Sequence, residues 1–174
     1  ILIALDVSSA AEALALADRL RGAVGGYKIG HQLFTAEGPA VQHDISVPVS
    51  DMARFIDTES PQIEAAYPGT RVIAFGHLGD GNIHYHVKAP QDATADDWYR
   101  DFARRISTDV YDRVVAYGGS ISAEHGIGQT KIGEFARTTE PSRLEALRAI
   151  KNALDPFGIM NPGKLVPLAS AGPD

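Results

Sequence analysis

The chain has 174 residues, 16 Lys and Arg against 22 Asp and Glu, a net charge of −6 and no cysteine. Such a length holds one domain, or one and a fraction, with enough residues for a real core. The missing cysteines exclude disulfides, thiolate catalysis and cysteine-type zinc sites, and an acidic balance without a basic stripe argues against nucleic acid as a partner.

Ile1-Leu2-Ile3-Ala4-Leu5 is a continuous apolar run leading into Asp6, the pattern of a buried parallel strand. Ser8 or Ser9 offers an N-cap, with Glu12 placed for a capping box from Ser9, and an amphipathic run follows from Ala13 to Leu20. Gly26 to Gly30 is a second short strand, so the opening unit is β-α-β. The apolar start is too short to span a membrane and has no signal-peptide form, so a cytoplasmic location and no membrane partner are expected.

Further along, Asp44 to Val49 alternates as a strand, and Asp51 to Ala66 is a predicted helix that stops before Pro68-Gly69. Arg71 to Gly76 and Ile83 to Lys88 form the arms of a hairpin. A long helix is predicted from Thr94 or Ala95 to about Tyr117, with Asp96 and Asp97 complementing the dipole in its first turn and Gly118-Gly119 ending it. The Arg104-Arg105 pair belongs to its solvated face. Ser120 to Ala123 is a short strand, and Pro141 to Leu154 is a last helix bounded by Pro156 and Gly158, whose amphipathic face suits a core or a homodimer contact equally. The order β-α-β-β-α-β specifies an α+β fold, a ferredoxin-like antiparallel sheet with helices on one face, preceded by the β-α-β segment.

Three of the six histidines fall in Gly76-His77-Leu78-Gly79-Asp80-Gly81-Asn82-Ile83-His84-Tyr85-His86. A two-residue type I′ turn at Asp80-Gly81 pairs Gly79 with Asn82, Leu78 with Ile83 and His77 with His84. Directly opposed side chains have Cβ atoms about 5 Å apart, so both imidazoles reach one ion, and His86 shares the face of His84. A lone histidine there would be an ordinary exposed polar residue; two in register point to a divalent metal such as zinc or manganese. Glu124, in Ser122-Ala123-Glu124-His125-Gly126-Ile127-Gly128, is the best third ligand, because the flanking glycines permit sharp backbone paths. Two histidines and a carboxylate leave coordination positions open, which suits catalysis better than a closed structural site.

The strings GHLGDGNIHYHV, SISAEHGIGQTK and LDPFGIMNPGKLVP resemble, in order and spacing, the C-terminal cap domain of FAD-linked oxidases, which include D-lactate, D-2-hydroxyglutarate and glycolate dehydrogenases. The resemblance runs from about Gln42 to Pro167, within a domain expected over 42–168 that leaves a tail at 169–174. It implies that His77, His84 and Glu124 hold the metal, that His125 is the base taking a proton from a 2-hydroxy acid, and that Asn161 lies near FAD. It implies substrate contacts for Asn82 and His86, the latter where relatives often have Asn. Gln42 stands where many relatives have a Lys for the substrate carboxylate, a loss that weakens anion binding by about 1.5 to 3 kcal/mol. His125 read from its residues alone also suits a structural role. The resemblance further implies that FAD is held by a domain absent from this chain, since Gly25-Gly26 and Gly118-Gly119 are turn or cap signals and not a dinucleotide fingerprint.

Residues 1–41 instead resemble the start of orotidine 5′-phosphate decarboxylase, through the ALD ending of the first strand, the KIG string and LFTAEGP. By that resemblance Asp6 and Lys28 contact a nucleotide. The catalytic Lys and Asp cluster of that family is absent, and one β-α-β piece cannot close a barrel of about 250 residues. A switch near Ala40 to Gln42 therefore joins two partial genes. Three functions follow: the cap domain of an FAD-dependent 2-hydroxy acid dehydrogenase, inactive as this isolated chain; a decarboxylase fragment; or a non-catalytic metal-binding module.

Overall fold

The structure is a computed structural model that describes residues 2–5, 10–23, 26–29 and 39–166. Strand β1 (Leu2–Leu5), helix α1 (Ala10–Arg19) and strand β2 (Gly26–Ile29) form the expected β-α-β unit, with β1 and β2 parallel and Leu2 opposite Gly26. Asp6 and the Ser8 or Ser9 cap lie outside the described residues, as does the side chain of Lys28.

The rest is α+β. Strands β3 (Ala40–Ser46), β4 (Arg71–His77) and β5 (Asn82–Lys88) make an antiparallel sheet in the order β3-β5-β4. Strand β3 begins four residues before the expected Asp44, because Val41, His43 and Ile45 alternate into the core and Ala40 pairs with Lys88. It ends before Pro48, which has no N–H to give a ladder. Helix α2 (Met52–Ala66), entered through a single 3₁₀ turn at Val49–Asp51, follows as expected.

The predicted long helix is divided into α3 (Ala95–Trp98), a π turn at Tyr99–Ala103 and α4 (Arg104–Ala116). The wide turn brings the Tyr99 hydroxyl to the β3 edge, where it donates to the Ala40 carbonyl at 2.8 Å and accepts from the Ala40 N–H at 3.1 Å. Thr94 does not cap a backbone N–H; its hydroxyl donates to Asp97 at 2.7 Å. Gly119 packs so close to β3 that a Cβ would sit 2.2 Å from the Ser46 carbonyl oxygen. The strand expected at 120–123 contracts to one antiparallel bridge, Ser46 with Ser120, because beyond Ile121 the Ala123 N–H is shared between the Asp44 carbonyl and its side chain and the following N–H groups turn onto that side chain. Helix α5 (Ile132–Thr138) was not expected, and α6 (Pro141–Leu154) was, with Pro141 in its first turn.

The core lies between one face of the sheet and the helices. Val41, Ile45, Ile83, Tyr85 and Val87 meet Phe55 and Ile63 of α2 and Ile106, Val110 and Val114 of α4. His43 joins them fully buried, its ring nitrogens 3.0 Å from the Tyr85 carbonyl and 3.1 Å from the Ser107 hydroxyl. Burial pushes the His43 imidazole down to about 4. Among the described residues no helix is long and apolar enough to cross a membrane.

Candidate functional site

Period-2 alternation turns the remaining strand residues to the other face of the sheet, away from α2 and α4. On β5 these are Asn82, His84 and His86; opposite them stand Ser46, Asp44 and Gln42 of β3, and His77, Phe75 and Ile73 of β4. One sheet thus carries Val41, Ile45, Ile83, Tyr85 and Val87 toward the helices and three of the chain's histidines, beside Phe75 and Ile73, on its other side.

The register differs from the predicted hairpin. His77 pairs with Asn82 and Phe75 with His84, so the loop is the four residues Leu78 to Gly81 and not the two-residue Asp80-Gly81 turn. Tertiary contact decides this. The Gly81 carbonyl accepts the Val47 N–H at 3.0 Å, Gly81 has φ +73°, and a Cβ there would fall 2.1 Å from the Val47 oxygen. Gly81 therefore belongs to a loop closed against the end of β3. The slip is two residues, an even number, so His77 and His84 keep the same face. They are diagonal neighbours, with ring centroids 6.2 Å apart.

The segment 120–128 reaches this face from the β3 edge. After the Ser46–Ser120 bridge, the N–H groups of Ala123, Glu124 and His125 converge on Asp44 Oδ2 at 3.2, 2.8 and 2.8 Å. From the other side Lys131 Nζ donates to the Ile121 carbonyl at 3.2 Å and the Ser122 hydroxyl at 3.1 Å, and Ser122 Oγ donates to the Gly126 carbonyl at 2.8 Å. Glu124 is thereby set 3.3 Å from His77 Nδ1 and accepts a hydrogen bond from the Asn82 amide. The His125 ring lies 6.2 Å from that of His84, with Nδ1 3.8 Å from Asp44 Oδ2. A carboxylate oxygen from each of Asp44 and Glu124 and a ring nitrogen of His125 lie within 4.8 Å of one another.

The base of this cluster is buried and its rim is open. Asp44 and Asn82 are 4% and 3% exposed, whereas the His77 and His125 side chains are 59% and 69% exposed. Burial alone would raise the Asp44 pKa, but the N–H groups of His125 and Glu124, with the nearby His125 and Lys131 charges, hold the carboxyl below its usual range. Asp44 Oδ1 and Asn82 Oδ1 are buried without a hydrogen-bond partner, so acceptor capacity remains at the floor of the site.

The fold therefore brings together His77, His84, Glu124, His125 and Asn82. His86 is buried one step along β5, its ring 5.3 Å from Phe75 and opposite Gln42. Asn161 stands apart in the segment after α6, at φ +47°, and that segment joins the site loop where the Leu165 N–H donates to the Gly128 carbonyl at 3.2 Å. Sequence reasoning missed Asp44 and Lys131. An acidic residue inside a run that alternates as a strand was the available signal, since strands are depleted in Asp.

A helix-backed antiparallel sheet thus carries a histidine and carboxylate cluster on its free face. The chain belongs to the family described as FAD linked oxidases, C-terminal domain, which it matches over residues 3–165, across the switch placed near Ala40 to Gln42. It is 37% identical over 124 residues to D-2-hydroxyglutarate dehydrogenase of Stutzerimonas stutzeri, covering 71% of this chain and 26% of that protein. It is 34% identical over 126 residues to D-lactate dehydrogenase of Anaerostipes hadrus, covering 70% and 25%. With the glycolate oxidase subunit GlcD of Bacillus subtilis it shares 29% identity over 157 residues, covering 88% and 30%. The chain spans about a quarter of the length of these relatives.

Proposed function

We propose that this chain is the metal- and substrate-binding part of an FAD-dependent dehydrogenase that oxidises a D-2-hydroxy acid to the 2-oxo acid. The observation that supports the reading is the cluster on the free face of the sheet: Glu124 lies 3.3 Å from His77 Nδ1, the His84 ring is 6.2 Å from those of His77 and His125, and oxygens of Asp44 and Glu124 lie within 4.8 Å of a His125 ring nitrogen. The donor set fits a divalent cation such as zinc or manganese. It offers two imidazoles and a carboxylate, its rim is open to a small ligand, and the buried Asp44 Oδ1 at its floor has no hydrogen-bond partner.

When bound, the cation supplies Lewis acidity that lowers the pKa of the substrate hydroxyl, and FAD, held mainly by sequence beyond these residues, supplies the acceptor for the hydride of the α-carbon. The chain's own residues do the rest. His77, His84 and Glu124 would hold the cation on the face where His125 stands. The His125 imidazole takes the hydroxyl proton, and Asp44, with Oδ2 3.8 Å from Nδ1, favours the imidazolium that results. Asn82 keeps Glu124 in place through its amide hydrogen bond. His86, buried beside Phe75 one step along β5 from His84, is the residue of this face assigned to the substrate, and the resemblance assigns Asn161 to the flavin.

The test is elemental analysis of the purified chain after incubation with zinc or manganese, with His77→Ala, His84→Ala and Glu124→Ala in parallel. The expected result is close to one metal ion per wild-type chain and its loss in all three variants. A wild-type chain that stays metal-free under both conditions would sink the reading.

A further inference from the structure

Asp44 is the most heavily engaged side chain of the site, and its contacts reach beyond the His125 imidazole that it faces. Its Oδ2 accepts three consecutive backbone N–H groups, those of Ala123, Glu124 and His125, across about eighty residues of sequence. Its Oδ1 is buried with no hydrogen-bond partner, and the nearest ring nitrogen with an ion-pair geometry toward it is His84 Nδ1 at 3.9 Å. A carboxylate that is 4% exposed is costly to bury unless its lone pairs are used. Histidines that hold a cation through one ring nitrogen give the N–H of the other to a carboxylate or carbonyl, which fixes the tautomer and the ring plane.

We infer that Asp44 is the positioning residue of the site: Oδ2 sets the path of the Ala123–His125 turn, and Oδ1, 3.9 Å from His84 Nδ1 and without a hydrogen-bond partner, is placed to receive the Nδ1–H when the His84 ring turns to hold the cation. The proposal rests on the functional reading above, in that the oriented Nε2 of His84 is the one turned toward the cation. One side chain on β3 thereby registers two otherwise independent pieces, the β5 histidine and the Glu124-His125 turn. A carboxylate is required for both tasks at once. An Asn at 44 keeps a single oxygen; with that oxygen on the turn it aims an NH₂ at His84, so two donors oppose each other.

The experiment compares wild type, Asp44→Asn and Asp44→Ala with three readouts: zinc affinity by competition with a chromophoric chelator, amide hydrogen exchange at 123–125, and the His84 tautomer by ¹⁵N NMR. In Asp44→Asn, zinc affinity is expected to fall by about 10- to 100-fold. Exchange at 123–125 is expected to quicken by roughly tenfold, with core amides of β5 and α4 unchanged, and His84 to leave the Nδ1–H tautomer. Asp44→Ala should quicken exchange further; if it does not fold, Asp44→Asn decides alone. Wild-type exchange at 123–125 in Asp44→Asn would overturn the holding of the turn, and wild-type zinc affinity with an unchanged His84 tautomer would overturn the orienting of His84. If the wild-type chain binds no zinc, the metal reading fails separately, and the exchange and tautomer results still support or overturn the role of Asp44.

Discussion

The two faces of the three-stranded sheet are built from the same strands, residue by residue, and do opposite work. On the helix side Ile45, Ile83, Tyr85 and Val87 are almost wholly buried against α2 and α4. On the other side the same strands present Asp44, His77 and His84, graded from a buried floor to an exposed rim. Stability is concentrated where apolar area leaves water, and chemistry where imidazoles and carboxylates remain reachable. The exception is His43, a titratable side chain on the stabilising face, satisfied by Tyr85 and Ser107 and held neutral by burial.

Substitutions on the two faces should therefore separate stability from metal binding. The largest stability change is expected from Phe55→Ala, which empties a site between α2 and the sheet where the ring meets Tyr85 and Tyr117; urea unfolding should show a loss of about 3 to 5 kcal/mol. Equal destabilisation by His77→Ala would erase the contrast between the faces.

His43 gives the pH dependence. Its folded pKa, about 4, lies below the ordinary 6.5, so the unfolded chain binds the extra proton between those values. Its contribution is complete above pH 6.5 and is lost as pH falls toward 4, up to ~3 kcal/mol. Melting at pH 7 and pH 4.5 should show a smaller decline for His43→Gln than for wild type; parallel declines would mean that other groups set the acid sensitivity.

Gly119→Ala comes next, because its Cβ would strike the Ser46 carbonyl oxygen at the bridge that launches the site loop. About 1 to 3 kcal/mol should be lost, with metal affinity reduced as well, since the strain falls between the faces. The smallest stability effect belongs to His77→Ala on the exposed rim. Its melting should stay within ~0.5 kcal/mol of wild type while metal is lost, a pairing that sharpens the division most.

Strand parity is legible in the sequence alone, and it carries much of the site. Alternation along 82–88 puts Asn82, His84 and His86 on one side and Ile83, Tyr85 and Val87 on the other, whatever the partner strand does. The convergence of Glu124 with the hairpin was also anticipated, from the glycines around it and from the resemblance. The hairpin register was not, because Asp80-Gly81 has the local chemistry of a two-residue turn and nothing within the hairpin signals that Val47 claims the Gly81 carbonyl. The π turn at Tyr99 escaped for the same reason: its hydroxyl answers to Ala40, far away in sequence.

By itself, then, the sequence determined the α+β class, the face on which each strand residue lies and the residue types of the candidate site, since these depend on periodicity and composition within short windows. Only the tertiary structure decided the register of the hairpin and the place of Asp44. Both depend on which hydrogen-bond donors arrive from distant segments. A buried carboxylate shows whether it is a liability or an anchor only once the N–H groups of Ala123, Glu124 and His125 have been folded onto it.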